Sequence, residues 1–225
     1  MAAEVGITAP RFGIATGAFV DDRDDWATAV ERAKREGWRW LELTAIRGRL
    51  GTLLEYLRDH PTALHSFERV SVHAPAKTKE SLQEVLASLR PLAFDVVLHP
   101  DIYAADQATA RLGRRAIFEN MDATKGFGRN VADLRTVFDS FPQAGFCLDV
   151  AHVWTNDPTL ALGHDLLDAF GERLRQLHVS GIEPDSTHRP TTAADLGLYR
   201  ALLDRCRHVP WLLEAELDGV SARWR

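Results

Sequence analysis

The chain has little cysteine, little methionine and no long apolar run. Its 225 residues include two cysteines and two methionines. Cys147 and Cys206 form no C-x-x-C pair, so neither a disulfide framework nor a thiolate zinc cluster is encoded. A reducing, cytoplasmic setting is the expectation. No stretch approaches the roughly 18 apolar residues of a membrane span. The opening "MAAEVGITAPRFG" lacks the basic and apolar regions of a secretory signal, so no leader is expected. Gly/Ser-rich, Pro-rich and low-complexity tracts are missing too. With no linker in sight, residues 1–225 are expected to form a single domain. Positive charge is not in excess: 27 Lys and Arg face 32 Asp and Glu, for a net charge of −5. Nucleic-acid binding, which needs a basic face, is therefore not expected. No G-x-G-x-x-G follows the first apolar stretch, which argues against a dinucleotide-binding sheet.

What fills the chain is an alternation of short apolar stretches and amphipathic ones. Strands are expected over residues 11–17, 38–44, 69–75, 95–101, 115–122, 145–152, 174–181 and 210–217. Most are rich in β-branched, aromatic or leucine residues and close on Gly, Pro, Asp or Asn, as buried parallel strands do. Helical patterns lie between them at 24–37, 78–90, 130–141, 157–174 and 192–207, with shorter ones at 50–59 and 104–113. The first opens on the aspartates of "DDRDD" and ends at Gly37 as a C-cap. The second opens at Thr78 or Lys79 and places Leu82, Val85, Leu86 and Leu89 on one face. Eight such units in this length imply an α/β fold, a single (β/α)8 TIM barrel. Only residues 218–225 follow the last strand, so the eighth helix is expected to be short or missing. The flank of the first and eighth strands would then need covering by Trp224 or by a partner subunit in a homodimer.

Barrel active sites sit at the C-terminal ends of the strands, and side chains alternate between the two faces. Alternation gives the last inward residue of the second to eighth strands as Glu42, His73, His99, Glu119, Asp149, His178 and Glu214. Ser71, Val97, Ile117, Cys147 and Leu212 form the layer beneath. His152 and His188 follow in the loops after the sixth and seventh strands. One inward Glu or His is more often a hydrogen-bonded structural residue. Seven in succession crowd carboxylates that repel one another unless a cation sits among them. The donors are oxygen and imidazole nitrogen without thiolate. That set suits one or two ions of Zn, Mn, Fe or Co better than Mg alone. Cys147 reads as filler, since a buried thiol is inert without an activating base. Trp154 could wall a sugar pocket or pack a loop. Lys77, Lys125 or Arg189 could meet a phosphate, and Arg47 and Arg49 an anion or solvent.

The segments "SVHAP", "LHPD", "FENMD", "CLDVAH", "LHVSG" with "THRP", and "LLEAE" occur in this order along the chain. In them the sequence resembles the xylose isomerase-like TIM barrel superfamily, from the second strand to the eighth. That superfamily holds sugar and sugar-phosphate isomerases and epimerases as well as endonuclease IV-type AP endonucleases. For the isomerase branch, the resemblance implies one divalent ion held by Glu119, Asp149, His178 and Glu214. Glu119 and Glu214 would also act as acid and base, and His152 would touch substrate. For the nuclease branch it implies three ions. The first would be held by His73, His99 and Glu119, the second by Glu119, Asp149, His178 and Glu214. The third would need His152, His188 and an aspartate two residues before His188, where this chain has Ser186, with Asp185 one position off.

The function expected is isomerisation or epimerisation of a small sugar or sugar phosphate. A cation would stabilise an enediolate while Glu119 and Glu214 pass a proton between neighbouring carbons. Substrate contacts are expected from His152, His188, Glu42, Lys77, Arg189 and Trp154. The alternative is a multi-metal phosphoester hydrolase, which His73 and His99 favour and the missing aspartate disfavours. A non-catalytic metal- or sugar-binding barrel is the third reading.

Overall fold

The computed structural model describes residues 11–19, 25–45, 49–76 and 80–218. Arg47, Lys77 and Trp224 lie outside them, as do Thr78 and Lys79. Eight parallel strands close into a barrel. They are β1 (Arg11–Ala15), β2 (Trp40–Thr44), β3 (Arg69–His73), β4 (Asp95–Leu98), β5 (Ala116–Glu119), β6 (Gly145–Asp149), β7 (Leu174–Val179) and β8 (Pro210–Leu213). Each falls within its expected span. Closure comes from β1, which pairs in parallel with both β8 and β2. A side chain at Gly13 would not fit there: its Cβ would lie 2.7 Å from Trp40 Cβ and 2.8 Å from Leu212 Cδ1.

The strands separate two apolar regions. Outward residues such as Leu43, Val72, Phe118, Phe146, Leu148 and Trp211 pack with the helices in one continuous core. Val97, Ile117 and Cys147 form a second, small cluster inside the barrel. Cys147 is a fully buried free thiol. Alternation along β6 therefore turns Phe146 and Leu148 towards the helices, and Cys147 and Asp149 towards the axis.

The helices are α1 (Trp26–Arg35), α2 (Leu50–Asp59), α3 (Leu82–Leu89), α4 (Val131–Ser140), α5 (Val150–Asn156), α6 (Ala161–Phe170) and α7 (Ala193–Arg205). Asp25 caps α1 by accepting from the backbone of Ala27 and Thr28, and Gly37 follows its end at φ +80°. α3 starts later than Thr78 or Lys79. Ser81 and Glu84 form a reciprocal capping box there, which fixes the first turn. The segment read as a helix at 104–113 is instead one turn at Pro100–Tyr103 and a 3-10 stretch at Gln107–Arg115, interrupted by Gly113 at φ +57°. α5 replaces the expected last residues of the sixth strand.

Among the described residues no helix follows β8. The chain runs instead into Leu217–Asp218, which pairs with Thr191–Thr192. On the flank of β1 and β8, Ile14, Trp211 and Leu213 are buried in the same core as α1 and α7. No helix among the described residues is long and apolar enough to cross a membrane.

Candidate metal centre

At the C-terminal ends of the strands the barrel opens into a cavity of about 670 Å³. Glu119, at the end of β5, stands at its centre. Its Oε2 lies 3.3 Å from His73 Nε2 and 3.4 Å from His99 Nε2. Its Oε1 lies 2.7 Å from His178 Nδ1 and 3.7 Å from His152 Nδ1. Glu214, just after β8, brings Oε1 to 3.2 Å from His178 Nδ1 and Oε2 to 3.6 Å from His188 Nδ1. Both carboxylates thus meet the same ring nitrogen.

Asp149 and Asn120 set the geometry between β5 and β6. The Asn120 side chain donates to the Asp149 carbonyl at 3.0 Å and accepts from the Asp149 N–H at 2.8 Å. Asp149 also caps α5, its Oδ1 accepting from His152 N–H at 2.7 Å. That bond leaves Oδ2 with no hydrogen-bond partner, 3.5 Å from His152 Nδ1. His152 Nδ1 lies 2.9 Å from the Asn120 carbonyl, which fixes the ring.

The donor set fits a divalent cation. Donor atoms of Glu119, Asp149, His178 and Glu214 lie within 4.8 Å of one another. The same holds for His73, His99 and Glu119, and for Asp149, His152 and His188. Ligands facing each other across an ion at about 2.0–2.4 Å reach similar separations. Asp149 Oδ2, Glu214 Oε2 and His99 Nδ1 are buried with no hydrogen-bond partner, although buried polar atoms nearly always have one.

Without a cation, the charges balance through the histidines. Burial lowers the pKa of His73, but Glu119 more than offsets it and raises His73 to about 9. Burial is likewise outweighed at His152 by Asp149 and Glu119, again to about 9. At His178 it is outweighed by Glu214, Glu42 and Glu119, and the pKa rises well above the ordinary value. Burial wins at His99 and His188, which are lowered. Glu119 is held well below the carboxylate range, since His178, His73 and His99 overcome its burial. Glu214 moves the other way, to about 8, because burial is reinforced by Glu119 and Asp149. A divalent ion beside Glu214 would reverse that shift.

The structure brings Glu119, Asp149, His178, Glu214, His73 and His99 together, with His152 and His188 beside them. Among the described residues, Glu42, Trp154, Arg189 and Lys125 are not on the cavity wall. Glu42 is one layer deeper than the sequence suggests: it registers with Ser71, while Thr44 registers with His73 and lines the cavity. Trp154, in α5, packs against the outer core. Arg189 donates two hydrogen bonds to the Asp195 carboxylate, 2.8 Å on each arm, and pairs with Glu183 at 3.0 Å. Lys125 lies 3.5 Å from Asp101. Arg49 sits over the Trp26 ring. Asp185 is exposed and accepts from Thr187 N–H. Lys77 and Arg47 are among the residues not described. Asp122 is the cavity residue that alternation misses: buried, on the wall, and braced by Thr124. It lies three residues past Glu119, beyond where strand periodicity carries information, though "FENMD" already displays it.

No protein-family model matches the chain, and no curated protein sequence matches it. Solved structures do. A D-tagatose 3-epimerase-like protein superposes with a TM-score of 0.59 at 14% identity, over 92% of this chain and 90% of its own. The D-psicose 3-epimerase of Clostridium cellulolyticum H10, solved with D-tagatose, gives 0.57 at 12% identity, over 95% of this chain and 88% of its own. A xylose isomerase-like TIM barrel protein from Mycobacterium smegmatis, solved with magnesium, gives 0.60 at 12% identity, over 96% and 92%. The eight-stranded closure and these superpositions agree that the chain has a (β/α)8 TIM-barrel fold.

Proposed function

We propose that this protein is a divalent-metal-dependent isomerase or epimerase of a small sugar or sugar phosphate. The observation that carries the reading is the pairing of Glu119 and Glu214 across His178 Nδ1, at 2.7 and 3.2 Å, on the wall of one cavity. A bound cation would supply polarisation of two adjacent substrate oxygens, acidifying the neighbouring C–H. Glu119, Asp149, His178 and Glu214 would hold it. Glu119 and Glu214 rise from strands three apart in the barrel order, so they approach a bound substrate from different sides. Each has a second oxygen to take or return a proton at neighbouring carbons. His152 and His188, next along the wall, would donate to substrate hydroxyls. The cavity volume falls within the roughly 300–1,000 Å³ usual for small-molecule sites. The sugar epimerases of the same fold support this reading.

The test is turnover on a panel of ketoses and aldoses in D2O, with and without Mn2+ or Co2+. Wild-type protein should incorporate deuterium at the carbon next to the carbonyl. Glu119→Gln and Glu214→Gln should each lose about 10²–10⁴-fold in rate. Unimpaired turnover in either variant would sink the acid–base assignment.

Phosphoester hydrolysis is a second reading, favoured by one observation: His73 and His99 both approach Glu119 Oε2, and a one-metal isomerase does not need them as ligands. Two ions per chain together with cleavage of a small phosphodiester would support it. One ion and no cleavage would end it.

A further inference from the structure

We propose that Glu42 is a positioning residue for the candidate metal centre: from beneath the cavity it fixes the His178 ring so that Nδ1 faces Glu119 and Glu214. The inference rests on reading those residues as metal donors.

Glu42 on β2 is fully buried and takes no part in the cavity wall. It is thus out of reach of substrate. A carboxylate in a barrel interior is costly unless it is paired and hydrogen-bonded. Glu42 has both kinds of partner. Ser71 Oγ–H donates to its Oε2 at 2.9 Å, and the Gln176 side-chain amide donates to the same oxygen at 2.7 Å. His178 Nε2 lies 3.1 Å from Oε1 and 3.3 Å from Oε2.

His178 is therefore gripped from both sides. Nδ1 looks up to Glu119 and Glu214, and Nε2 looks down to Glu42. A carboxylate only accepts hydrogen bonds, so in the cation-free protein the doubly protonated ring meets Glu119 through Nδ1–H and Glu42 through Nε2–H. Gln176 Nε2, 3.1 Å from the same ring nitrogen, donates to Glu42 Oε2 at 2.7 Å and so holds the carboxylate beside the ring. A cation held by Glu119 and Glu214 would take the place of the Nδ1 proton while Glu42 keeps the proton on Nε2, so that the lone pair faces the other donors. An imidazole whose far N–H is held by a carboxylate is oriented and made a better ligand, and loss of such a partner costs about 10–100-fold in metal affinity.

The test compares wild type with Glu42→Gln and Ser71→Ala in the full-length chain. Zinc affinity is measured calorimetrically, and the His178 Nε2–H resonance is followed by 15N NMR in the zinc-loaded protein. Glu42→Gln should bind zinc about 10–100-fold more weakly, and its Nε2–H resonance should move upfield as the charged acceptor is lost. Ser71→Ala, which removes one bond to Glu42 and nothing at the cavity, should shift both in the same direction by less. A role limited to folding would lower the melting temperature and leave the resonance in place, which would overturn the proposal. So would zinc affinity within twofold of wild type in Glu42→Gln. If that variant does not fold, an unchanged affinity and resonance in Ser71→Ala overturns it instead. Failure of wild type to bind zinc, manganese or cobalt at all would overturn the metal reading itself, and this inference with it.

Discussion

In the cation-free chain, positive charge at the cavity comes from protonated histidines, and this has a consequence in pH. His73 and His152 are raised from 6.5 to about 9. A raised pKa in the folded state adds stability that is fully present below 6.5 and is lost as pH climbs through 9. Glu214, raised from 4.5 to about 8, acts with the same sign: its contribution fades as pH rises through 8. Glu119, held well below 4.5, acts oppositely, and its contribution disappears in acid. The melting temperature of the chelated protein should therefore fall between about pH 6.5 and 9. Cation binding displaces the same protons, so affinity should rise over that range with measurable proton release. Thermal melts in EDTA, and calorimetry in two buffers of different ionisation enthalpy, check both. A flat melting temperature across that range would contradict the charge assignment.

Among the elements, the junction of β6 and α5 concentrates two tasks in one residue. Asp149 ends the strand, caps the helix through Oδ1, keeps Oδ2 without a hydrogen-bond partner and clusters with Glu119, His178 and Glu214. Asn caps as well as Asp, whereas Ala loses about 1 kcal/mol. In EDTA both variants lose the Asp149 charge beside His152, and Asp149→Ala should melt roughly 2–4 °C below Asp149→Asn, which keeps the cap. Both should lose the stabilisation that added cation gives wild type. Equal melting of the two variants would mean that the cap contributes nothing. This junction also shows what the sequence displays and what it hides. Strands buried on both faces are unbroken apolar runs, so all eight are legible, and period-two alternation points Glu119, Asp149 and His178 inward. Alternation does not give depth. Barrel strands are staggered, so Glu42 registers with Ser71 rather than with His73. The helix α5 is hidden because Val150, Ala151 and Val153 continue the apolar run of β6, and only the Asp149 cap marks the change. Asn120 and Asp122 lie past the strand end, where no period applies. The lateral pairing of Arg189 with Asp195 depends on how the loop folds, which spacing does not encode.

For the whole molecule, the cation is expected to act as a linchpin between distant parts of the chain. Glu119, Asp149, His178 and Glu214 are spread over 96 residues of sequence and four successive strands of the barrel. A ligand that binds only where these meet stabilises the fold by mass action, about 2.7 kcal/mol at one hundred times its dissociation constant. For a chain of this size that is roughly 5–10 °C in melting temperature. Titration with Mn2+, Co2+ and Zn2+, reversed by EDTA, measures it, and an unmoved melting temperature would mean that no ion binds the native state. Beneath the cavity, Val97, Ile117 and Cys147 are wholly inaccessible, and Leu212, Ser71 and Gln176 are nearly so. That closed floor makes the barrel a cul-de-sac. Among the described residues, whatever enters must leave through the same mouth, so on the proposed reading a product still in place would exclude the next substrate, and turnover would be coupled to how quickly that doorway clears.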